Sequence, residues 1–258
     1  MSPISAQAIA SLRARTGVSI LACKEALEAS GGDEDKAIEI LRKRGISQAA
    51  KKAARDQTEG LVFLKEKGKV AALVMIRCET DFVARDDAFQ AVGTALADTL
   101  LNDSQAAAEK LAGEKIPELV QKLGENIAVG EMHRIDADTL GTYLHSNAKI
   151  GVIIGLSGGT AEQARDAAMH AAAMNPLYVS PEDVDAGLVE KEKDIWKEQL
   201  AKEGKPAAIM DKIMIGKEKK FREESALLTQ PFVKDNSMTV GKYLGAAKVT
   251  AYIRVSIS

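Results

Sequence analysis

Lys69-Val70-Ala71-Ala72-Leu73-Val74-Met75-Ile76-Arg77-Cys78 is the stretch on which the fold turns. It is apolar almost without interruption from Val70 to Ile76, and such a run reads as a strand buried on both faces. A strand of that kind belongs in the middle of its sheet. Just upstream, Leu61-Val62-Phe63-Leu64 passes through Lys65-Glu66-Lys67-Gly68 into it, which predicts a hairpin with a tight turn. Downstream the period becomes helical. One helix is expected over residues 86–101, helical pieces over 105–111 and 117–123, and a further strand over 127–135.

The pattern then recurs. Lys149-Ile150-Gly151-Val152-Ile153-Ile154-Gly155-Leu156 is a second apolar strand about 80 positions on. At the same offset Ala84-Arg85-Asp86-Asp87-Ala88 is answered by Ala164-Arg165-Asp166-Ala167-Ala168. A separate echo joins Thr139-Leu140-Gly141-Thr142-Tyr143-Leu144 to Thr239-Val240-Gly241-Lys242-Tyr243-Leu244, each followed by a strand. An ungapped offset spanning strand, loop and helix points to duplication, so the expected class is α+β with a duplicated core, its halves at 60–138 and 139–258.

An insertion at about 182–226 interrupts the second half. Pro181-Glu182-Asp183 opens a long helix through Val189, Ile195, Trp196 and Leu200. Gly204-Lys205-Pro206 turns the chain, with Pro206 suited to a first helical position, and Ile209, Ile213, Met214 and Phe221 lie on the returning helix. The result is an antiparallel helical hairpin with one narrow apolar seam, the shape of a contact arm. It either mediates a homodimer or simply projects.

Residues 1–46 read as a bundle of three short helices. Ser5 caps the first, which carries Ile9 and Leu12 and ends at Gly17. Ser19 caps the second, with Cys23, Ala26 and Leu27 inside, before Gly31-Gly32. Asp33 caps the third, with Ala37, Ile38 and Leu41 inside and Gly45 at its end. So small a bundle is suited to binding rather than catalysis. Residues 47–59 are expected to be a helical linker, whose Lys51, Lys52 and Arg55 form a solvated face or touch an acidic partner.

Composition narrows the function. Hydrophobic residues make up 46% of the 258, enough for a sizeable core. The 35 basic and 37 acidic side chains nearly cancel, at a net charge of −2, and aromatics are only 4%. Direct nucleic-acid binding needs a basic surplus and stacking rings, so none is expected. Cys23 and Cys78 form neither a disulfide framework nor a metal site. The N-terminus lacks the features of a signal peptide, and no apolar stretch approaches membrane-spanning length. The expectation is a cytoplasmic protein without membrane contact.

Signs of catalysis are few. There is no phosphate-cradling Gly-Lys-Ser/Thr loop, no Gly-x-Ser-x-Gly elbow and no His-Glu-x-x-His. His133, His145 and His170 lack metal-ligand spacing, and no cofactor or metal is expected. Cys78 with His170 is the one nucleophile pairing to consider, set against the ordinary role of a buried cysteine as a small hydrophobe.

The most unusual local sequence is Glu79-Thr80-Asp81-Phe82-Val83-Ala84-Arg85-Asp86, between the apolar strand and the next helix. One reading has Thr80 or Asp81 capping that helix while Phe82 packs on its first turn. The other has an acidic group and an aromatic standing together at a loop tip, ready to enter a partner's pocket. Cys78-Glu79-Thr80-Asp81-Phe82-Val83-Ala84 resembles the Thr-Asp-Phe-Val-Ala signature of the bacterial elongation factor Ts family, the exchange factors for the GTPase EF-Tu. Leu12-Arg13-Ala14-Arg15-Thr16-Gly17, running on to Cys23-Lys24-Glu25-Ala26-Leu27, is similar to that family's ubiquitin-associated-like N-terminal bundle. Ala168-Met169-His170-Ala171-Ala172, Pro181-Glu182-Asp183-Val184 and Gln230-Pro231-Phe232-Val233 match further blocks in order, so the resemblance covers essentially the whole chain.

The resemblance implies a non-catalytic translation elongation factor that binds EF-Tu and promotes GDP release. It implies that Thr80, Asp81, Phe82 and Val83 form the segment that disturbs the partner's Mg²⁺ and phosphate site. It further implies that Arg13, Ile20, Leu21 and Lys24 of the bundle, and His170 of the second half, are partner contacts. Ile20-Leu21 stands where relatives often carry two methionines. Many relatives continue into a short C-terminal helical module, a contact expected here to be absent or replaced. Read without the resemblance, the bundle also fits a general adaptor for peptides or ubiquitin-like surfaces.

Overall fold

A computed structural model describes residues 4–202 and 207–257. It is a mixed α+β protein with small sheets and divides into two compact units. The first comprises Met1–Arg134, Leu144–Gly151 and Val255–Ser258; the second comprises Ile135–Tyr143 and Val152–Arg254.

The first unit opens with α1 (Ala6–Thr16), α2 (Ile20–Ala29) and α3 (Glu34–Lys52). Ser5, Ser19 and Asp33 cap them as the sequence predicts, each side chain accepting from a backbone N–H three residues on. Gly17 closes α1 in the left-handed region at φ 66°, where a residue with a Cβ would be strained. Leu12, Cys23, Ala26, Leu27, Ala37 and Leu41 are buried together between the three helices. Gly45 does not end the third helix, as expected, but lies inside α3. It marks a close approach: a Cβ there would come within 2.9 Å of the Pro117 carbonyl oxygen.

The strands β1 (Glu59–Lys67) and β2 (Val70–Cys78) form the antiparallel hairpin read from the sequence, in register from Glu59↔Cys78 to Lys67↔Val70. They are followed by α4 (Asp81–Ala84), α5 (Asp87–Asn102), α6 (Gln105–Leu123) and β3 (Ala128–Asp136). The sheet order is β1-β2-β3, so the apolar strand is central, as its composition requires. Ala72, Val74, Ile76 and Cys78 share a core with Phe89, Leu96 and Leu100 of α5 and with Ala108, Leu119 and Val120 of α6. Burial of a ring such as Phe89 contributes about 3 kcal/mol. The two helical pieces expected over 105–111 and 117–123 are one helix, with Pro117 inside α6. Proline removes one intrahelical N–H, but buried residues on both sides of it keep the helix on the core.

The second unit repeats the order of elements. β4 (Thr139–Leu144), β5 (Ile150–Ser157) and α7 (Ala161–Met174) come first. α8 (Ala186–Lys202), α9 (Ala207–Ser225), β6 (Pro231–Phe232), β7 (Asp235–Thr239), α10 (Val240–Leu244) and β8 (Lys248–Ser256) follow. The sheet order is β4-β5-β8, with the second apolar strand central. The echo between 139–144 and 239–244 divides: the first copy is strand β4, while the second is helix α10, capped by Thr239 and burying Val240 and Leu244 on one face. Two segments that share four of their six residues thus take different structures, each set by what its neighbours bury.

Pro181–Asp183 is a separate 3-10 turn, and α8 starts only at Ala186, because Val184 is extended. Val189, Trp196 and Leu200 are buried on α8, and Trp196 meets Phe221 of α9 edge to face at 5.8 Å. Ile195, one step round the helix from that stripe, is 49% exposed rather than in the seam. The turn expected at Gly204-Lys205-Pro206 and the side chain of Ile209 lie outside the described residues.

Candidate functional site

The tip that follows β2 is built from short-range chemistry. Thr80 leaves the strand in an extended conformation, and its hydroxyl accepts from the Val83 N–H at 3.4 Å, starting the single turn α4. Val83 and Ala84 take the inward side of that turn and are buried. Phe82 is thereby turned outward and is 80% exposed. Thr80 therefore caps, but it caps a separate one-turn helix and not the helix expected over 86–101, and Phe82 does not pack on that helix's first turn. Asp86 then caps α5 through the Ala88 N–H at 2.8 Å. Asp81 pairs with Arg85 at 2.9 Å on the outer side of the turn. An exposed pair of this kind contributes little and can be exchanged for another partner. Beside it a groove of about 670 Å³ runs along β1, lined in part by Asp81 and Arg85.

A second loop holds this tip from behind. Glu125 accepts hydrogen bonds from the Glu79 N–H at 3.1 Å, the Thr80 N–H at 3.0 Å and the Thr80 hydroxyl at 2.6 Å. In return Glu79 accepts from the Asn126 N–H at 2.6 Å and from Arg55 at 3.3 Å. Its carboxyl titrates below the usual range, chiefly because of the Asn126 amide and then Arg55. Asn126 donates to the Arg55 carbonyl at 2.7 Å, and Lys52 donates to the Gly124 carbonyl. Lys52 and Arg55 thus tie loops of their own unit together. Sequence reading missed Glu125 and Asn126, because nothing local marks a residue 45 positions from its partner.

On the bundle, Ile20 and Leu21 open α2 at 56% and 66% exposure, and Ser19 fixes their direction by capping the helix. Arg13 on α1 and Ile20 line a groove of about 600 Å³ together with Ile9 and Gly17. Lys24 is exposed and lies 3.8 Å from Glu28. All four residues singled out in the bundle are therefore at its surface, three of them carried by α2.

His170 is placed otherwise than a surface contact would be. Its side chain is fully buried. Its Nδ1 accepts from the Val233 N–H at 3.3 Å, which leaves Nε2 to donate to Gln230 Oε1 at 2.9 Å. Burial holds its pKa below the ordinary 6.5, so the ring is neutral. Within this chain the side chain thus supports the Gln230-Pro231-Phe232-Val233 segment from beneath. The alternative Cys78–His170 nucleophile fails on the same grounds. Burial, with Glu125 and Glu59 nearby, pushes the Cys78 thiol up to about 12, and its S–H donates to the Thr80 carbonyl at 3.2 Å.

Residues 79–258, from the tip to the end of the chain, match the family model described as Elongation factor TS. The chain belongs to the elongation factor Ts family. It is 42% identical to elongation factor Ts of Deinococcus deserti, over 97% of this chain and 98% of that protein. It is 45% identical to elongation factor Ts of Saccharophagus degradans, over 98% of this chain and 91% of that protein. The elongation factor Ts of Aeromonas salmonicida is 42% identical, over the whole of this chain and 92% of its own. Among the described residues, no helix is long and apolar enough to cross a membrane, and no group of three or more His, Cys, Asp or Glu side chains could hold a metal ion.

Proposed function

We propose that the chain is a non-catalytic guanine-nucleotide exchange factor that binds EF-Tu in the cytoplasm and speeds release of its GDP. The observation that carries this reading is the Phe82 ring, 80% exposed on a turn whose neighbours Val83 and Ala84 are buried. A large apolar side chain held away from its own core costs solvation in the free protein and gains it back in a partner's pocket. Thr80 and Val83 fix the turn, Phe82 is the wedge and Asp81 the neighbouring charge.

Mg²⁺ requires near-octahedral geometry and bridges nucleotide phosphates to protein. A ring pushed between the side chains that hold this geometry displaces the metal, leaves phosphate charge less neutralised and lets nucleotide depart. A thousandfold loosening corresponds to a coupling of about 4 kcal/mol. Nucleotide must weaken binding of the factor by the same ratio. Release does not consume the factor.

Residues 1–46 act as a ubiquitin-associated-like docking module, with Arg13, Ile20, Leu21 and Lys24 as contacts. The α8–α9 pair is an inserted antiparallel hairpin at about 182–226, available for a homodimer. Within the second half, His170 supports the 230–233 segment from below. An adaptor built on the bundle alone would use Ile20 and Leu21 but leave Phe82 without purpose.

The double variant Asp81→Ala with Phe82→Ala separates these readings. The rate at which it releases labelled GDP from EF-Tu should fall about hundredfold, a loss of roughly 2.7 kcal/mol. Stability should stay within about 0.5 kcal/mol, since both side chains are at the surface. Release as fast as the parent's would overturn the wedge.

A further inference from the structure

We infer that Glu125 is a positioning residue for the Thr80-Asp81-Phe82-Val83 tip, a role that rests on the exchange reading above. Its carboxylate supplies, from a loop 45 positions away, what a helix start ordinarily takes from its own first turn. The contrast lies within the chain. At the start of α7, Thr160 caps the helix and its own N–H is satisfied by Gln163 Oε1 at 3.0 Å, a local capping box. At the start of α4, Thr80 caps in the same way, but the corresponding position is Val83, which is buried and has no acceptor. Glu125 takes that place. One oxygen accepts from the Glu79 and Thr80 N–H groups and the other from the Thr80 hydroxyl. A carboxylate only accepts, so the hydroxyl proton points to Glu125 and a lone pair remains for the Val83 N–H.

The consequence is mechanical. With the capping acceptor supplied from outside, Val83 is free to be apolar and to anchor the turn, and Phe82 is free to face outward. The loop bearing Glu125 is itself pinned, by Glu79 through the Asn126 N–H and by Asn126 through the Arg55 carbonyl. The tip is therefore stiff without a stabilising contact from Phe82. Stiffness matters because a wedge that yields on insertion deforms itself and not its partner. Removing the carboxylate leaves Phe82 and Asp81 in place chemically and loosens only their support.

The test uses the full chain with Glu125→Ala and Glu125→Gln, read in two ways. Titrated against EF-Tu carrying labelled GDP, Glu125→Ala should lower the saturating release rate about tenfold, with the half-saturating concentration within about twofold. Glu125→Gln should stay within about threefold of the parent, because its amide oxygen still accepts both N–H groups and its amide NH₂ can donate to the Thr80 hydroxyl. Amide hydrogen exchange needs no partner: in Glu125→Ala the Glu79 and Thr80 amides should lose protection about hundredfold while those of Leu73 and Val74 keep theirs. An unchanged saturating rate, unchanged Glu79 and Thr80 protection, or loss at Leu73 and Val74 as well would each overturn the assignment, the last by making Glu125 a general fold residue. The Asp81→Ala, Phe82→Ala variant run alongside tells a failed wedge from a failed support, since only the wedge reading falls if that variant releases GDP like the parent.

Discussion

The two units place a threonine-capped helix after each central strand, yet only one of them presents an aromatic tip. After β2 the chain continues Thr80-Asp81-Phe82-Val83-Ala84-Arg85-Asp86; after β5 it continues Thr160-Ala161-Glu162-Gln163-Ala164-Arg165-Asp166. In the second unit Gly158 and Gly159 turn the chain, Gln163 closes a capping box, and α7 runs unbroken to Met174. In the first the helix stops after one turn, restarts at Asp87, and carries an exposed ring on that isolated turn. Asp166 shows the cost of continuity: inside α7 it is buried and held by Lys234 at 2.5 Å and Tyr243 at 2.8 Å. Its counterpart Asp86 is released to cap a second helix. The comparison teaches that a site was made by breaking a helix and supporting the break from elsewhere, with the surrounding sheet left alone.

The comparison can be broken most severely where helix and sheet touch. A Cβ on Gly141 would lie 2.0 Å from the backbone carbon of Ala164, whereas one on Gly93 would meet the Phe63 ring at 2.1 Å. Backbone cannot step aside and a ring can. Gly141→Ala should therefore cost about 3 kcal/mol by overpacking. Gly93→Ala should cost about 1 kcal/mol, since roughly 2 kcal/mol of overpacking is offset by about 1 kcal/mol of better helix propensity. Urea unfolding measures both, and the single tryptophan, Trp196, reports the second unit directly. Equal costs would show the two helix–sheet contacts to be alike.

Capping sharpens the contrast at a smaller scale. Thr160→Ala should destabilise the second unit by about 1 kcal/mol and leave GDP release untouched. Thr80→Ala should cost a similar amount and also slow release, because the same hydroxyl bridges Glu125 to the turn. Paired denaturation and release measurements distinguish a cap that only holds a helix from one that also holds a site.

The smallest effect concerns pH and belongs to the second unit alone. His170 is buried neutral with a lowered pKa, so the unfolded chain binds its proton more readily than the folded one. Stability it contributes is present above 6.5 and is lost as pH falls below that value through the folded pKa. The Trp196-detected unfolding midpoint should decline as pH drops below 6.5, and His170→Gln should flatten that decline. A parent curve identical to the variant's would remove His170 as the titrating group.

Much of this was legible in the sequence, for a reason that can be stated residue by residue. Helix caps at Ser5, Ser19 and Asp33 depend on atoms within three residues, and the central strands depend on an apolar run that only a sheet interior can absorb. The Thr80-Asp81-Phe82 tip was legible as a motif. Its exposure was not, because a phenyl ring reads the same whether buried or displayed. Gly45, Pro117 and the 239–244 echo misled, since each local preference was overridden by what lay beside it in space.

By itself, then, the sequence determined the β1–β2 hairpin, the two central strands, the starts of α1, α2 and α3, and which loop was unlike any other in the chain. Those features are written in short-range sterics and in the period of burial. Only the tertiary structure decided that Phe82 faces solvent, that His170 does not, and that Glu125 stands behind the tip. These depend on hydrogen bonds and packing between residues far apart along the chain, for which neighbouring residues carry no signal.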